Sequence, residues 1–197
     1  GLGSTYPTIV SDDASLESVI EAGVHEWLHQ YLAFKPLGFL YLLDLTGLHR
    51  DYDVAVMNET LAGILGKEIG GMVYAKYYGP PLDGAVRNPA AVPAFDFDRE
   101  MREIRQTVDS YLARGEITQA EEFMEEKRAY LGTMGYNIRK LNQAYFAFYG
   151  TYADSPTSIN PIGSELKKLR AQSKSLKNFL DTVADMTSRQ QLTDSVK

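Results

Sequence analysis

The stretch Ala14–Phe34, ASLESVIEAGVHEWLHQYLAF, has apolar residues at helical spacing and predicts one long amphipathic helix. The Ser-Asp-Asp run at residues 11–13 offers N-cap candidates ahead of it, and Pro36 ends it because proline cannot continue a helix. His25 and His29 are four positions apart within this helix. One turn of helix stacks both imidazoles on the same face, where they can bind one metal ion.

Glu26 directly follows the first histidine. Its carboxylate could act as a catalytic base beside a metal ion that the two histidines bind. Zinc in a catalytic site takes three protein ligands and leaves its fourth position to water. Glu26 lies beside such an ion rather than on it, where it can accept a proton from water and return it to a leaving amine. The pattern predicts a zinc site with His25 and His29 as ligands and Glu26 as general base. The alternative, a histidine pair without metal, is less favoured because the motif lies within a well-formed helix.

The third ligand has to come from elsewhere in the chain. A second long helix is predicted from Asp53 to about Tyr78, and it carries Asn58-Glu59. The same helix has a stripe of small residues, which permits close packing on the first helix: Ala62, Gly63, Gly66 and Gly70. Glu59 is therefore the preferred third ligand, by analogy with zinc sites made of two histidines and a glutamate. The competing ligands are His49, Asp44, Asp51, Asp53 and Glu68.

Proline and glycine divide the rest of the chain into further helical blocks, and almost none of it has the pattern of a strand. Helices are predicted at Asp98–Arg114, Glu121–Tyr130, Tyr136–Tyr149, Pro161–Ala171 and Ser175–Met186. Leu37–Leu45 is apolar but of undecided type, and Tyr6–Val10 is the best strand candidate. The predicted fold is mainly α: a single-domain zincin-like helical bundle over residues 1–190 with a frayed tail at 191–197. A small N-terminal strand or sheet remnant is compatible with this fold.

The composition excludes several classes of protein. Hydrophobic residues make up 44% of the chain and charged residues 23%, as in ordinary globular domains. A net charge of -6 without a basic run gives no electrostatic footprint for nucleic acid. The absence of cysteine excludes disulfides, thiolate zinc ligands and a cysteine nucleophile. The longest apolar stretch, Leu37–Leu43, is too short for a membrane span.

The start of the chain bears on its cellular compartment. The motif helix begins almost directly after Gly1-Leu2-Gly3, so we expect the chain to be the C-terminal part of a longer natural protein. A targeting segment would then lie outside this sequence. The compartment stays open between an extracytoplasmic or membrane-anchored location, through such a segment, and a cytoplasmic one. The oligomeric state is equally open.

The motifs together resemble a known group of enzymes. His25-Glu26-x-x-His29 followed by Asn58-Glu59-x-x-Ala62 resembles the gluzincin clan, which includes thermolysin and zinc aminopeptidases. The run 121–128, the segment Leu141-Asn142-Gln143-Ala144 and then Tyr152 are similar to the bacterial family of predicted aminopeptidases. Two positions depart from these patterns. Gln143 stands where that family has a second asparagine, and Gly63 stands where thermolysin-like proteins have an aspartate.

The resemblance implies roles for the later residues. Tyr152 would donate a hydrogen bond to the oxyanion, and Asn142 would be a substrate or structural contact. A neutral donor beside zinc agrees with the chemistry. Tyr149 is a second candidate for substrate contact, although each of these tyrosines could instead be a core aromatic.

The resemblance also implies a function. It predicts zinc-dependent hydrolysis of peptide bonds in peptide or protein substrates. An aminopeptidase-like activity is preferred to an endopeptidase, although the metal site alone does not decide between them. The alternative is a domain that binds zinc but is catalytically inactive and has a structural or interaction role.

Overall fold

The computed structural model describes residues 15–79, 95–136, 138–150, 152–155 and 157–196, without the side chains of 147–150. Within these residues the ordered elements are all helices, which confirms the mainly α fold. The helices are α1 Leu16–Leu32, α2 Pro36–Leu45, α3 Tyr52–Tyr78, α4 Phe97–Ala113, α5 Ile117–Thr133, α6 Gln143–Gly150, α7 Pro161–Gln172, α8 Leu176–Ala184 and α9 Arg189–Ser195. The strand candidate Tyr6–Val10 lies outside the described residues.

The contacts of the described residues form two compact units. The described residues of the first unit are 15–79, 152–154 and 161–196, and they contain α1 to α3 and α7 to α9. The described residues of the second unit are 95–136, 138–150, 155 and 157–160, and they contain α4 to α6. The three residues 152–154 thus belong to the first unit, although residues on both sides of them belong to the second.

The ends of α1 and α2 follow from local capping. Ser15 is the N-cap of α1 and accepts a hydrogen bond from the Ser18 N–H at 3.2 Å, so the helix begins later than a cap at residues 11–13 predicts. Pro36 comes shortly after the end of α1 and is the first residue of α2. Proline suits that position, where its fixed φ is helical and its missing N–H is not needed. The undecided segment Leu37–Leu45 is therefore a helix.

The long helix α3 carries much of the core of the first unit. Asp51 caps it by accepting a hydrogen bond from the Val54 N–H at 3.1 Å. Leu61 and Leu65 on α3 are fully buried in one cluster with Leu28 and other side chains of α1. Although α3 is 27 residues long, none of the described helices is long and apolar enough to cross a bilayer.

The small-residue stripe of α3 was predicted to permit close packing on α1. At two of its residues, Gly66 and Gly70, the helices do approach closely. A Cβ at Gly66 would lie 3.2 Å from the Glu21 carbonyl oxygen and 3.3 Å from Cβ of His25. A Cβ at Gly70 would lie 2.9 Å from Cα of Glu21. Larger side chains at these two positions would push the helix that carries His25 away from α3.

Replacing Gly70 by alanine should test this close approach. We expect the overpacking against backbone atoms to outweigh the gain in helix propensity, so that the free energy of unfolding falls by about 1–2 kcal/mol. Gly71→Ala is the matched control, because nothing lies within 4 Å of a Cβ there. That substitution should raise the free energy of unfolding by about 0.5–1 kcal/mol. Urea denaturation of both variants measures the difference, and effects of equal sign would contradict the packing argument.

The C-terminal end differs from the prediction of a frayed tail at 191–197. The chain is helical over Arg189–Ser195, and Leu192 is fully buried. Val196 also belongs to the core cluster of the first unit and is 7% exposed. These two apolar residues, four positions apart, pack the segment on the core, and Arg189 pairs with Glu165 of α7.

The second unit has a core of its own, formed by α4, α5 and the segment that leads into α6. Its buried side chains include Met101, Ile104, Val108, Met124 and Leu131. The helix predicted over Tyr136–Tyr149 is shorter in the structure and begins only at Gln143. The chain leaves α5 through Gly135, whose φ of 90° interrupts the helical path and favours glycine.

Candidate metal centre

Two histidines of α1 and one glutamate of α3 meet inside the first unit. His25 Nε2 and His29 Nε2 are 3.0 Å apart, and Glu59 Oε2 lies 3.4 Å from each of them. Among the described residues these three form the one group of histidine and carboxylate side chains able to hold a metal ion together. Helical spacing brings the two imidazoles together, and the packing of α1 on α3 adds the carboxylate.

The competing third ligands lie elsewhere in the structure. Asp44 accepts a hydrogen bond from the Asp51 N–H at 2.9 Å, and Asp51 itself caps α3. Glu68 forms an ion pair with Arg170. None of the competing residues belongs to the group of three, which also leaves out His49 and Asp53.

Two of the three residues are buried, and the glutamate carries a negative charge. Glu59 is 8% exposed and His29 is 6% exposed. Burial by itself raises the pKa of Glu59, but the adjacent His25 and His29 side chains hold that pKa well below its usual range. The carboxylate is therefore ionised, which is the state that binds a cation. Its Oε2 atom is buried and has no hydrogen-bond partner, so it is free to accept a ligand bond.

Asn58 orients one of the histidines. The His29 Nδ1–H donates to Asn58 Oδ1 at 2.7 Å, and Asn58 is fully buried. With its proton on Nδ1, a neutral His29 keeps the lone pair of Nε2 for a metal ion. Burial by itself lowers the pKa of His29, but the neighbouring Glu59 carboxylate and the Asn58 side chain raise it overall. The sequence places Asn58 beside the ligand but does not reveal this contact.

Removing the Asn58 side chain should weaken metal binding without removing a ligand. Asn58→Ala leaves His29 free to rotate and to change tautomer, so we expect the zinc affinity to fall by roughly 10–100-fold. Competition with a chromogenic chelator measures the affinity. Asn178→Ala, at an exposed position of α8, is the control and should bind zinc as the parent protein does. Equal affinities for both variants would contradict the orienting role.

Tyr41 of α2 is a site residue that the sequence analysis missed. Its hydroxyl donates a hydrogen bond to Glu59 Oε1, and its ring stacks on the His29 ring at a centroid distance of 5.5 Å. Burial and the Glu59 carboxylate raise the pKa of Tyr41 well above its usual value, so the hydroxyl keeps its proton. No sequence signal points to Tyr41, because it lies in an apolar run whose secondary structure was undecided.

Glu26 is next to the first ligand on α1 and is buried, with 8% of its surface exposed. Its negative charge contributes to raising the pKa of His29 and the pKa of Tyr152, so the carboxylate interacts electrostatically with both side chains. Glu26 is not a member of the three-residue group. Its role as general base stays a prediction.

Tyr152 reaches the centre from far along the chain. Its ring lies 6.1 Å from the His25 ring, measured between centroids. Burial, together with the negative charges of Glu59 and Glu26, raises the pKa of Tyr152 to about 12. The phenol is therefore neutral near pH 7 and can act as a hydrogen-bond donor. The structure thus brings the Tyr152 ring near His25, and its role as a donor to an oxyanion stays a prediction.

The residues that follow Tyr152 attach it to α3. The Ala153 N–H donates to Thr60 Oγ1 at 3.0 Å, and Lys67 Nζ donates to Asp154 Oδ2 at 2.6 Å. A Cβ at Gly63 would lie 2.8 Å from Asp154 Oδ1, so a larger residue there would require this carboxylate to shift. Gly63 is the position where the resemblance leads one to expect an aspartate. Here an aspartate from another segment occupies the space.

Two further predicted residues are not part of this centre as described. Asn142 lies in the second unit, where its Oδ1 accepts the Tyr145 N–H at 2.9 Å and so caps α6. The side chain of Tyr149 lies outside the described residues. The predicted residues that come together in the first unit are His25, Glu26, His29, Glu59 and Tyr152. Comparison of the chain with protein-family models, curated proteins and solved structures finds no match.

Proposed function

We propose that His25, His29 and Glu59 bind Zn²⁺ and that the chain hydrolyses peptide bonds. The observation that carries this proposal is the spacing of the three ligand atoms, 3.0, 3.4 and 3.4 Å. A tetrahedral zinc ion with bonds of about 2.0–2.1 Å separates its ligand atoms by about 3.4 Å. Two imidazoles and one carboxylate are also a donor set of catalytic zinc, in which a fourth position stays open. The unpartnered Oε2 atom of Glu59 supports the same assignment.

The chemistry of the proposal divides between the metal and the side chains. Bound zinc supplies Lewis acidity toward water and toward a substrate carbonyl. Glu26 accepts a proton from water as the water oxygen forms its bond to the carbonyl carbon. The C–N bond then breaks, and Glu26 passes that proton to the departing nitrogen. Tyr152 donates a hydrogen bond to the carbonyl oxygen while negative charge develops there.

The preferred form of this activity is aminopeptidase-like. It rests on the resemblance of the His-Glu-x-x-His and Asn-Glu-x-x-Ala motifs to the gluzincin clan. The later segment that ends in Tyr152 resembles the bacterial family of predicted aminopeptidases. An endopeptidase with the same centre would cut within a peptide rather than at its first residue, so the cleavage pattern distinguishes the two.

Metal content and peptide hydrolysis, measured on the same sample, test the proposal. We expect one Zn²⁺ per chain by elemental analysis, and cleavage of a peptide mixture followed by mass spectrometry. The chelator 1,10-phenanthroline should stop the cleavage, and added Zn²⁺ should restore it. Stepwise loss of N-terminal residues supports the aminopeptidase form, whereas internal cuts support an endopeptidase. Stoichiometric zinc without hydrolysis of any peptide would replace the proposal with an inactive zinc-binding domain.

Tyr152→Phe should separate transition-state stabilisation from substrate binding. The variant keeps the buried ring and loses the hydroxyl donor, so we expect kcat to fall by roughly 10²–10³-fold with little change in KM. Steady-state kinetics at saturating zinc measure both constants. Tyr77→Phe removes a hydroxyl from a side chain that is 66% exposed, and it should leave both constants unchanged. A higher KM with an unchanged kcat would assign Tyr152 to substrate binding instead.

A further inference from the structure

Three consecutive residues of the first unit, Tyr152, Ala153 and Asp154, are held by contacts with both α3 and α7. Ala153 and Asp154 are buried. From α3, Thr60 Oγ1 accepts a hydrogen bond from the Ala153 N–H at 3.0 Å. From α7, Lys167 Nζ donates a hydrogen bond to the Asp154 carbonyl oxygen at 2.9 Å. The backbone that follows Tyr152 is therefore fixed by two helices that are far apart in the sequence.

Two glycines leave room for this segment. A Cβ at Gly163, in the first turn of α7, would collide with the carbonyl oxygen of Ala153. On α3, a Cβ at Gly63 would lie 2.8 Å from Asp154 Oδ1. The contact at Gly163 is between backbone atoms, which cannot rotate away as a side chain can. The segment consequently has little room to shift while α7 stays packed on it.

The Asp154 carboxylate forms an ion pair with Lys67 of α3. Lys67 Nζ lies 2.6 Å from Asp154 Oδ2, and the Asp154 side chain is only 5% exposed. The Lys67 side chain is 58% exposed, so the lysine brings its charge to the carboxylate from the surface. A buried carboxylate without a cation is unfavourable, so the burial of Asp154 depends on this pairing. Lys67 lies about two helical turns after Glu59 on α3, and the ion pair therefore ties the segment to the helix of a candidate ligand.

We propose that Asp154 and Lys67 are positioning residues whose ion pair holds Tyr152 at the metal centre. Tyr152 comes two positions before Asp154, and its ring centroid lies 6.1 Å from that of His25. The inference rests on the proposed peptidase function, in which the Tyr152 hydroxyl donates to the carbonyl oxygen. Asp154 is not in the group of three residues that can hold the metal. The ion pair therefore acts on the reaction through Tyr152 rather than through the metal.

Removing the charge of Lys67 tests the positioning role. In Lys67→Met we expect kcat for peptide hydrolysis to fall by roughly 10–100-fold, because a displacement of about 1 Å near the reacting atoms has effects of that size. KM and zinc affinity should keep their parent values. Lys67→Arg retains a cation and should retain most of kcat. If Lys67→Met does not fold, Lys67→Met/Asp154→Asn removes both charges together and should show the same loss of kcat. An unchanged kcat in the folded variant would overturn the proposal.

Arg170→Met is the matched control, because it breaks the neighbouring ion pair between α3 and α7. Glu68 directly follows Lys67 on α3 and pairs with Arg170 of α7. Loss of this pair should leave kcat unchanged, even where it lowers the free energy of unfolding. An equal fall of kcat in Arg170→Met and Lys67→Met would assign the effect to looser packing of the two helices and would refute the positioning role.

A double-mutant cycle with Tyr152→Phe shows whether the ion pair acts through the tyrosine. In the Tyr152→Phe background, Lys67→Met should lower kcat by no more than about 2-fold, because the hydroxyl that the ion pair positions is already absent. If the full loss of kcat persists in that background, the ion pair acts on the reaction by another route and the proposal is wrong.

An NMR measurement on the metal-free protein tests the positioning independently of zinc and of turnover. Labelled tyrosine gives the ring signals, and Tyr152→Phe identifies the signal of residue 152. In the parent protein, burial and the nearby His25 ring should displace this signal from that of an exposed tyrosine. It should move towards the exposed value in Lys67→Met, or in the double variant, and stay in place in Arg170→Met.

The same measurement separates this inference from the proposed function. If the parent protein cleaves no peptide but the Tyr152 signal moves as expected, the peptidase function fails and the positioning role stands. A Tyr152 signal that does not move when Lys67 loses its charge overturns the positioning role, whatever the parent protein cleaves.

Discussion

Glu26→Gln is expected to lower kcat for peptide hydrolysis by roughly 10²–10⁴-fold while one Zn²⁺ remains bound per chain. Glutamine has nearly the same shape as glutamate but cannot accept a proton from water. Because Glu26 is not one of the three residues that can hold the metal, its replacement leaves the ligand set intact. The loss should therefore appear in kcat, with zinc stoichiometry and melting temperature close to those of the parent protein.

The control for this prediction is Glu17→Gln, which makes the same chemical change in the first turn of the same helix. It should leave kcat unchanged, because residue 17 is about two turns from His25 and about three turns from His29. Kinetics and elemental analysis on the same preparations give both readouts. Full activity of Glu26→Gln with zinc bound would exclude this carboxylate as the general base.

Glu59→Ala should have the largest effect on metal binding. The substitution removes the one anionic ligand. Loss of a residue that only hydrogen-bonds to a ligand lowers metal affinity by roughly 10–100-fold, and we expect the loss here to be larger. Binding to the folded state stabilises the parent protein by about 4 kcal/mol when free zinc is 1,000 times the dissociation constant. The melting temperature of the parent protein should therefore rise with added zinc, and that of Glu59→Ala should not respond.

Glu68→Ala is the matched control on the same helix, since Glu68 pairs with Arg170 rather than with the histidines. Its melting temperature should keep the zinc response of the parent protein. Calorimetric titration with zinc and thermal unfolding provide two independent readouts. A zinc response retained in Glu59→Ala would assign the third ligand to another residue and refute the three-residue centre.

The local part of the centre could be predicted from the sequence. His25 and His29 lie four residues apart, and helical geometry alone places residues with that spacing on one face. Glu59 was preferred because it lies on a helix with a small-residue stripe, and it does approach both histidines in the structure. For Gly66 and Gly70 of that stripe, the predicted close approach to α1 is confirmed. These predictions depended on periodicity and on side-chain size.

The partners of the ligands could not be predicted, because they depend on packing between distant segments. Tyr41 is 18 positions from Glu59, and its contact requires Leu37–Leu45 to be a helix docked on α1. Ala153 donates to Thr60 across 93 positions, and that bond helps to hold Tyr152 at the centre. No local pattern encodes such distances, since they depend on which faces of several helices become buried together.

The sequence by itself determined the helical class, the motif helix and the two histidines that share one face of it. Those features follow from spacing within one helix and from the donor atoms that each side chain carries. Only the tertiary structure decided that Asn58 orients His29, that Tyr41 binds Glu59 and that Asp154 fills the space beside Gly63. The physical reason is that a side chain acquires partners across the chain only when the helices that carry it are packed together.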